Sequence, residues 1–510
     1  MKLLLLVPRT FPRVSSSLRR PKVPDATGIQ ESTACGTVRT LGPGWLGRGE
    51  LGLLGKLGAS ERPMVHAVSL LLFAEFALWC AAQQINSSLP LLPDRALKPL
   101  GSGPRAVVLT NATPASLETA LASGATMTFG FDGTIPLTNA IVVTTNATLD
   151  ATGRSITLDG QSRVRHFVVT NGVSLRLINL TLANGRFVGN DGQTNQPGEP
   201  AFGGSIYNAG GTLELTGCKL INNQAVGGNG GLPVLTLTNH FPGEPKGTDG
   251  GPAYGGAIYS NNGGIRMTGC LLSGNNCAGG KNTQAESGGY GGADFGGAVY
   301  LTNATMSLLE VTFTNNVVRS TAELGRGFGG AVFEIGSTVT ISNSVFVSNQ
   351  ALAADLSGSA AQAQGGALFH GSGLLTMDGT LLRGNVATGG RSGQSIPGEL
   401  GSMGGLGYGG ALYNDVPGQM RISNSSFVGN QANGGVDQSF EFGEGGTAYG
   451  GAMVSGGELV AINCTFAENR ATGGSSLFGL SGWAYGGGYG CRDGSSGVLG
   501  ECHLRGKRGG

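Results

Sequence analysis

The residues of this chain best suited to chemistry are Glu334 and His370. Each follows the aromatic residue of a recurring Gly-Gly-small-aliphatic-aromatic segment. The same position holds Asn208, Ser260, Leu301, Asn414 and Ser455 in the other copies. A carboxylate beside an imidazole can transfer protons. Polysaccharide-cleaving sites, however, gather several carboxylates, with or without Ca²⁺, and the charges here are sparse and unclustered. The alternative for the pair is ordinary polar surface. The residues just before this position form an aromatic column: Tyr207, Tyr259, Tyr300, Phe333, Phe369 and Tyr413. Facing out, Tyr207, Tyr259, Tyr300 and Tyr413 could bind sugars; facing in, they are core. Strand parity alone leaves both open.

These positions belong to a repeat. The Gly pair begins at Gly203, Gly255, Gly296, Gly329, Gly365, Gly409 and Gly450. Each copy closes on Phe/Leu-x-x-Asn, at Asn223, Asn275, Asn316, Asn349, Asn385, Asn430 and Asn469. From the second Gly to the Asn the count is 19 in the first five copies, 20 in the sixth and 18 in the seventh. From the Asn to the next Gly pair it runs from 13 to 32 residues. A fixed core with elastic inserts marks stacked structural units.

Apolar residues stand ten, eight and three places before the Asn and two after it, as in Leu213, Leu215, Leu220 and Ala225. Positions two apart share one face of a strand. The parity breaks mark corners, which predicts about three short strands per copy, one coil of a parallel β-helix. All four apolar columns are expected inside the tube. The Asn column suits a corner ladder of side-chain amides. The Gly pair suits a corner needing positive φ or close backbone approach. The inserts are expected as a fringe of loops along one side.

Of 510 residues, 95 are Gly and 12% are charged, with a net charge of +1. No basic stripe recommends nucleic acid as a partner. A hydrophobic content of 39% argues against disorder. Residues 1–63 show no repeat and read as an unstructured leader, an upstream over-extension of the gene. Residues 64–83 resemble a secretory signal: an apolar run Val68–Leu78, broken by Glu75, before Cys80-Ala81-Ala82. That run is too short for a bilayer, which needs about 20 residues, so no transmembrane span is expected. Residues 84–105 read as a linker, and 106–200 as an N-terminal cap with the first coils. Within that cap, Thr113-Pro114 followed by Ala115–Ala122 reads as a short helix. The repeats occupy 201–490, and 491–510 reads as a disordered, truncated tail.

Sequons at Asn86, Asn111, Asn146, Asn179, Asn303, Asn424 and Asn463 would accept glycans in a eukaryotic secreted chain. Cys218 and Cys270 fall five residues before their Asn, on adjacent coils, so a disulfide or a buried thiol stack is possible. No cysteine spacing suggests a metal, and no motif calls for a cofactor. Gly288–Asp294 lacks the Asp of a Ca²⁺-binding nonapeptide, and Gly405–Gly410 lacks the βαβ context of a dinucleotide loop.

Gly255-Gly256-Ala257-Ile258 with Leu272 and Asn275, Gly296-Gly297-Ala298-Val299 with Phe313 and Asn316, and Gly409-Gly410-Ala411-Leu412 with Phe427 and Asn430 resemble repeats of the polymorphic outer membrane proteins. Gly133-Thr134-Ile135 and Leu149–Gly153 are similar to the start of many right-handed β-helix surface proteins. The resemblance spans roughly 106–490. It implies a right-handed parallel β-helix in a secreted or cell-surface adhesive scaffold, without catalysis, in the outer membrane if bacterial, contacting glycans or surface proteins through side loops. That family carries a C-terminal barrel. Here an open end of strands is expected to need a missing domain. The alternative is a polysaccharide lyase, hydrolase or epimerase on a pectin-lyase-like β-helix.

Overall fold

The computed structural model describes residues 107–505 apart from 234–246, 284–288, 321–324, 356–360, 394–401, 440–442, 492–495 and 501. The leader, the signal-like segment, the linker, Cys35, Cys80 and Asn86 lie outside the described residues. The fold is a right-handed parallel β-helix. Its strands stack into five parallel sheets of twelve, eleven, ten, eight and eight strands. The hand is that of nearly all parallel crossovers.

One coil shows the plan: β1 Ala253–Tyr254, β2 Ile258–Asn261, β3 Gly264–Thr268, β4 Leu271–Ser273 and β5 Asn276–Ala278. Each strand pairs in register with its equivalent one coil on, as Ile258 with Val299 and Leu272 with Phe313. The β2, β3 and β4 ladders enclose the tube. Before Arg186 those three are the whole coil, matching the three strands expected. From Arg186 onward the β5 and β1 ladders are added, giving five.

The helix α1, Pro114–Ala122, caps the foot of the tube. Thr113 accepts the Ser116 N–H and Pro114 occupies the first turn. Leu117 and Leu121 are buried against Val107–Leu109, Ile141–Val143 and Ala147–Asp150. Among the described residues no helix is long and apolar enough to cross a membrane. At the other end, Ser496–Gly500 and His503–Arg505 continue the β3 and β4 ladders. The tail expected to be disordered therefore carries one more coil.

The columns ten, eight and three before the Asn fill the tube. The column two after it does not. Ala225, Cys277 and Val318 pack with Ala201 and Ala253 in a separate narrow core between β5 and β1. Its members are small, apart from Phe187 packed against it at the foot.

The inserts leave from this second layer, and their bases are not a loose fringe. Gly228 N–H donates to Glu199 O, Gly251 to Gly228, Gly280 to Gly251 and Gly292 to Gly280. Gly405, Gly435, Gly446, Gly474 and Gly482 repeat the pattern further along. A Cβ on Gly280 would collide with the Gly228 carbonyl, and one on Gly435 with that of Gly390. Glycine serves here for space, letting main chains hydrogen-bond across coils and layers in a slab-like fin. This use accounts for much of the Gly content.

Candidate functional site

Three features could host function: the polar column of β2, the aromatic columns, and the open face of the fin. The polar column lies inside the tube. Asn208, Ser260, Glu334, His370, Asn414 and Ser455 are all fully buried. Glu334 and His370 are paired neighbours across β2, and the carboxylate contacts Nδ1. Burial pushes His370 down to about 4, against the pull of the Gln419 and Gly373 backbone. Neither side chain is the polar surface of the sequence reading; the third β2 residue of each coil turns inward with the first, which takes both from solvent.

The aromatic column occupies the angle between β1 and β2. Its rings stack face to face: Tyr207 on Tyr259 at 5.3 Å, Tyr259 on Tyr300 at 5.3 Å, Tyr300 on Phe333 at 5.1 Å. A second column in β1 lies alongside, with Phe202, Tyr254, Phe295 and Phe328 stacked at 5.1–5.2 Å. The two columns meet edge to face, as Tyr254 with Tyr300 at 4.9 Å. Tyr408, Tyr449 and Tyr485 resume the second column after Gln364 interrupts it. Tyr413 is fully buried and Tyr259 nearly so. A sugar stacks on a ring face, and these faces are taken by neighbouring rings. The sugar-binding reading of Tyr207, Tyr259, Tyr300 and Tyr413 gives way to packing. At the foot, the buried Arg165 guanidinium lies 3.7 Å over Phe187 and 5.3 Å over Tyr207. Burial lowers its pKa only to about 10, so it stays charged.

The Gly pair makes this angle possible. The first Gly is left-handed, φ +66° at Gly255 and +69° at Gly296. The second has no room for a side chain: a Cβ on Gly256 would strike the Gly297 and Asn276 carbonyls.

The Asn column is a buried ladder at the β4–β5 corner. Asn349 Nδ2 donates to Asn385 Oδ1 at 3.0 Å and to Phe313 O at 3.0 Å. Its Oδ1 accepts the Asn316 backbone N–H at 3.1 Å and Asn316 Nδ2 at 2.9 Å. The same bonds link Asn223, Asn275, Asn316, Asn385 and Asn430 to their neighbours, ending at Asn469. Every donor and acceptor of an interior amide is thus used. One coil below Asn223 the column holds Gly185, whose N–H donates to Asn223 Oδ1. His166 fills the space above that glycine. Its Nε2 lies 2.9 Å from Leu158 O and its Nδ1 2.9 Å from Ser205 Oγ. Burial pushes this imidazole down to about 4.

The cysteines five before the Asn cap a corner as hydroxyls do. Cys218 Sγ donates to Leu177 O at 3.3 Å and Cys270 Sγ to Leu215 O at 3.4 Å. At the same position Ser344 and Ser425 cap the carbonyls of Ser342 and Ser423. Cys218 and Cys270 are free thiols, as are Cys464 and Cys502 in the same column. The pair stands in this structure as the buried thiol stack, not as the disulfide.

The sequon residues Asn111, Asn146, Asn179, Asn303, Asn424 and Asn463 are exposed. Asn179, Asn303, Asn424 and Asn463 have positive φ, between 48° and 56°. Asparagine tolerates that conformation better than most residues, so the corner itself selects them.

Two buried acids escaped the sequence reading. Asp294 stands in β1 where other coils have Ala or Gly. Burial pushes its carboxyl well above the usual range, against the pull of the Gly279 N–H and the Ser320 hydroxyl. In the fin, Asp437 accepts the hydroxyls of Ser392, Ser439 and Ser476 at 2.6–2.9 Å. The visible signal for Asp294 was an acid in an Ala/Gly column. The β1 rings were visible as the residue before each Gly pair. Nothing local marked His166 or Asp437. Among the described residues no three His, Cys, Asp or Glu side chains converge as a metal site.

The open feature is a cleft of about 610 Å³ on the outer face of β5 where the fin begins. Arg319, Leu352, Asp355, Thr388 and Arg391 line it.

No protein-family model and no curated protein matches the chain. Among solved structures, an endo-xylogalacturonan hydrolase from Aspergillus tubingensis aligns with 77% of this chain and 100% of its own, at 11% identity and TM-score 0.18. The Agl-KA catalytic domain aligns with 78% and 69%, at 11% identity and TM-score 0.24. The A-module of the Azotobacter vinelandii mannuronan C-5 epimerase AlgE6 aligns with 75% and 93%, at 10% identity and TM-score 0.16. Likeness at these scores carries no argument about activity, and the fold stands on the ladder pairing itself.

Proposed function

We propose that this chain is a secreted or cell-surface scaffold of the adhesive, polymorphic-outer-membrane-protein-like kind, contacting glycans or surface proteins along its fin. One observation carries the reading: the repeated polar and aromatic side chains are consumed by stacking. Glu334 and His370 lie inside the tube, the ring faces cover one another, and the Asn amides bond to the next coil. The irregular exterior is left for contacts. The competing reading makes the chain a polysaccharide lyase, hydrolase or epimerase with Glu334 and His370 as its proton-transfer pair. A substrate has no path to side chains without exposed surface.

The test is binding of the purified full chain to arrayed glycans and to cell surfaces, with product analysis in parallel. Binding without product supports the scaffold. Turnover of pectin, alginate or another glycan would sink it.

A further inference from the structure

The fin is not uniform. Six inserts separate one Asn from the next Gly pair in the chain, and their lengths in order are 31, 20, 12, 15, 23 and 19 residues. The two shortest adjoin one another. In the neighbouring coils the insert base carries a Gly pair, as Gly227-Gly228, Gly279-Gly280, Gly389-Gly390 and Gly434-Gly435. In the two short ones the same places begin with Ser320 and with Ala353-Ala354. The run of glycine pairs is broken here, although main-chain bonds continue through Ala354 and Gly390, and the cleft of about 610 Å³ forms a notch beside the break.

We propose that this notch binds a linear glycan bearing oxyanions, held by Arg319 and Arg391. Both side chains are exposed and line the cleft. Ion pairs among the described residues are Arg154–Asp132, Arg176–Glu214 and His370–Glu334, so no described carboxylate neutralises either guanidinium. The acid in the cleft, Asp355, accepts the Arg391 backbone N–H through Oδ1 at 2.9 Å, so the charged side chains lining the cleft, two Arg and one Asp, sum to +1. Leu352 lies between Arg319 and Thr388 in the β5 ladder. The two arginines thus bracket two coil steps, about 10 Å along the axis. That span suits an extended ligand with repeated charges. Arginine grips carboxylate and sulfate alike, through two parallel N–H···O bonds. Leu352 offers an apolar floor and Thr388 a hydroxyl. The cleft lies on a sheet face, where backbone groups are already paired within the ladder. An extended peptide would find no strand edge to join, whereas a glycan needs only side-chain partners.

The test is calorimetric titration of the full chain at low salt with four probes. These are a heparin-derived octasaccharide, an oligogalacturonate of equal length, a neutral cello-oligosaccharide and inorganic sulfate. The inference expects at least one charged oligosaccharide to bind and the neutral one not to; which charged one binds tells sulfate from carboxylate. Arg319→Ala and Arg391→Ala should each weaken binding about tenfold, with Arg→Lys at either position in between and thermal stability unchanged. Binding by inorganic sulfate alone, binding by neither charged oligosaccharide, or full affinity in the double alanine variant would overturn it. Product formation would count against the scaffold reading while leaving the site intact. Absence of binding would count against the site alone.

Discussion

Replacing Asn349 with alanine tests the ladder at its centre. The wild-type side chain makes four hydrogen bonds of 2.9–3.1 Å, all in a fully buried corner. Removing it leaves the Asn316 backbone N–H and one Asn316 Nδ2–H without acceptors. Asn385 Oδ1 keeps the residue-349 backbone N–H. An orphaned buried donor costs about 1–3 kcal/mol, so two predict a loss of about 4 kcal/mol. Asn469→Ala orphans the same two groups of Asn430, but Asn469 is only half-buried. Water can replace its amide, so about 1 kcal/mol is expected there. A solenoid need not unfold in one step, so the readout is local: amide hydrogen exchange at Asn316 and Asn430. A 4 kcal/mol loss appears as roughly a thousandfold drop in protection at Asn316. If Asn316 exchange changes less than tenfold, or Asn469→Ala proves as damaging at Asn430, the ladder does not hold the corner as argued.

Three further outcomes follow from buried groups and close packing. Asp294→Ala, which restores the residue of the neighbouring coils, should stabilise the protein by about 1–3 kcal/mol at pH 7. The Asp294 carboxyl is raised in the folded state, so its burden is absent below the unfolded value near 3.8 and grows as pH rises; the gain measured by thermal unfolding should vanish near pH 3.5. His166 is depressed to about 4, so the stability it contributes is complete above about 6.5 and is lost as pH falls toward 4, about 3 kcal/mol in all. His370 is depressed to about 4 as well, so His166→Gln should lessen the wild-type slope between about 6.5 and 4 without abolishing it, and an unchanged slope would refute the assignment. Gly435→Ala, which drives a Cβ into the Gly390 carbonyl, should release exchange protection in the fin around Gly405 and Gly446 while leaving Phe427 and Phe466 protected in the tube.

Most of the β-helix was readable because stacking makes periodicity visible. Leu213, Leu215 and Leu220 announce the tube, and the Asn spacing announces its coils. Which way an outlying column faces was not readable. Alternation assigns Tyr259 and Ser260 to opposite faces, yet both are buried, because a second layer covers the outside of β2. The same layer took Ala225 out of the tube and into its own core. Glycine misled for a related reason. Gly-rich inserts look like loops, but Gly228, Gly251 and Gly280 are chosen for main-chain contact, a property with no local sequence mark. Glu334 and His370 looked like chemistry because their types fit; only the inward turn of the strand placed them out of reach.

The most direct measurement is product release from pectin, alginate and host glycans by the purified full chain and by its Glu334→Gln variant, with thermal stability followed in both. The scaffold account predicts no product from either protein and a changed melting temperature in the variant, because a buried pair is altered. Turnover by the wild type that Glu334→Gln abolishes at unchanged stability would contradict it.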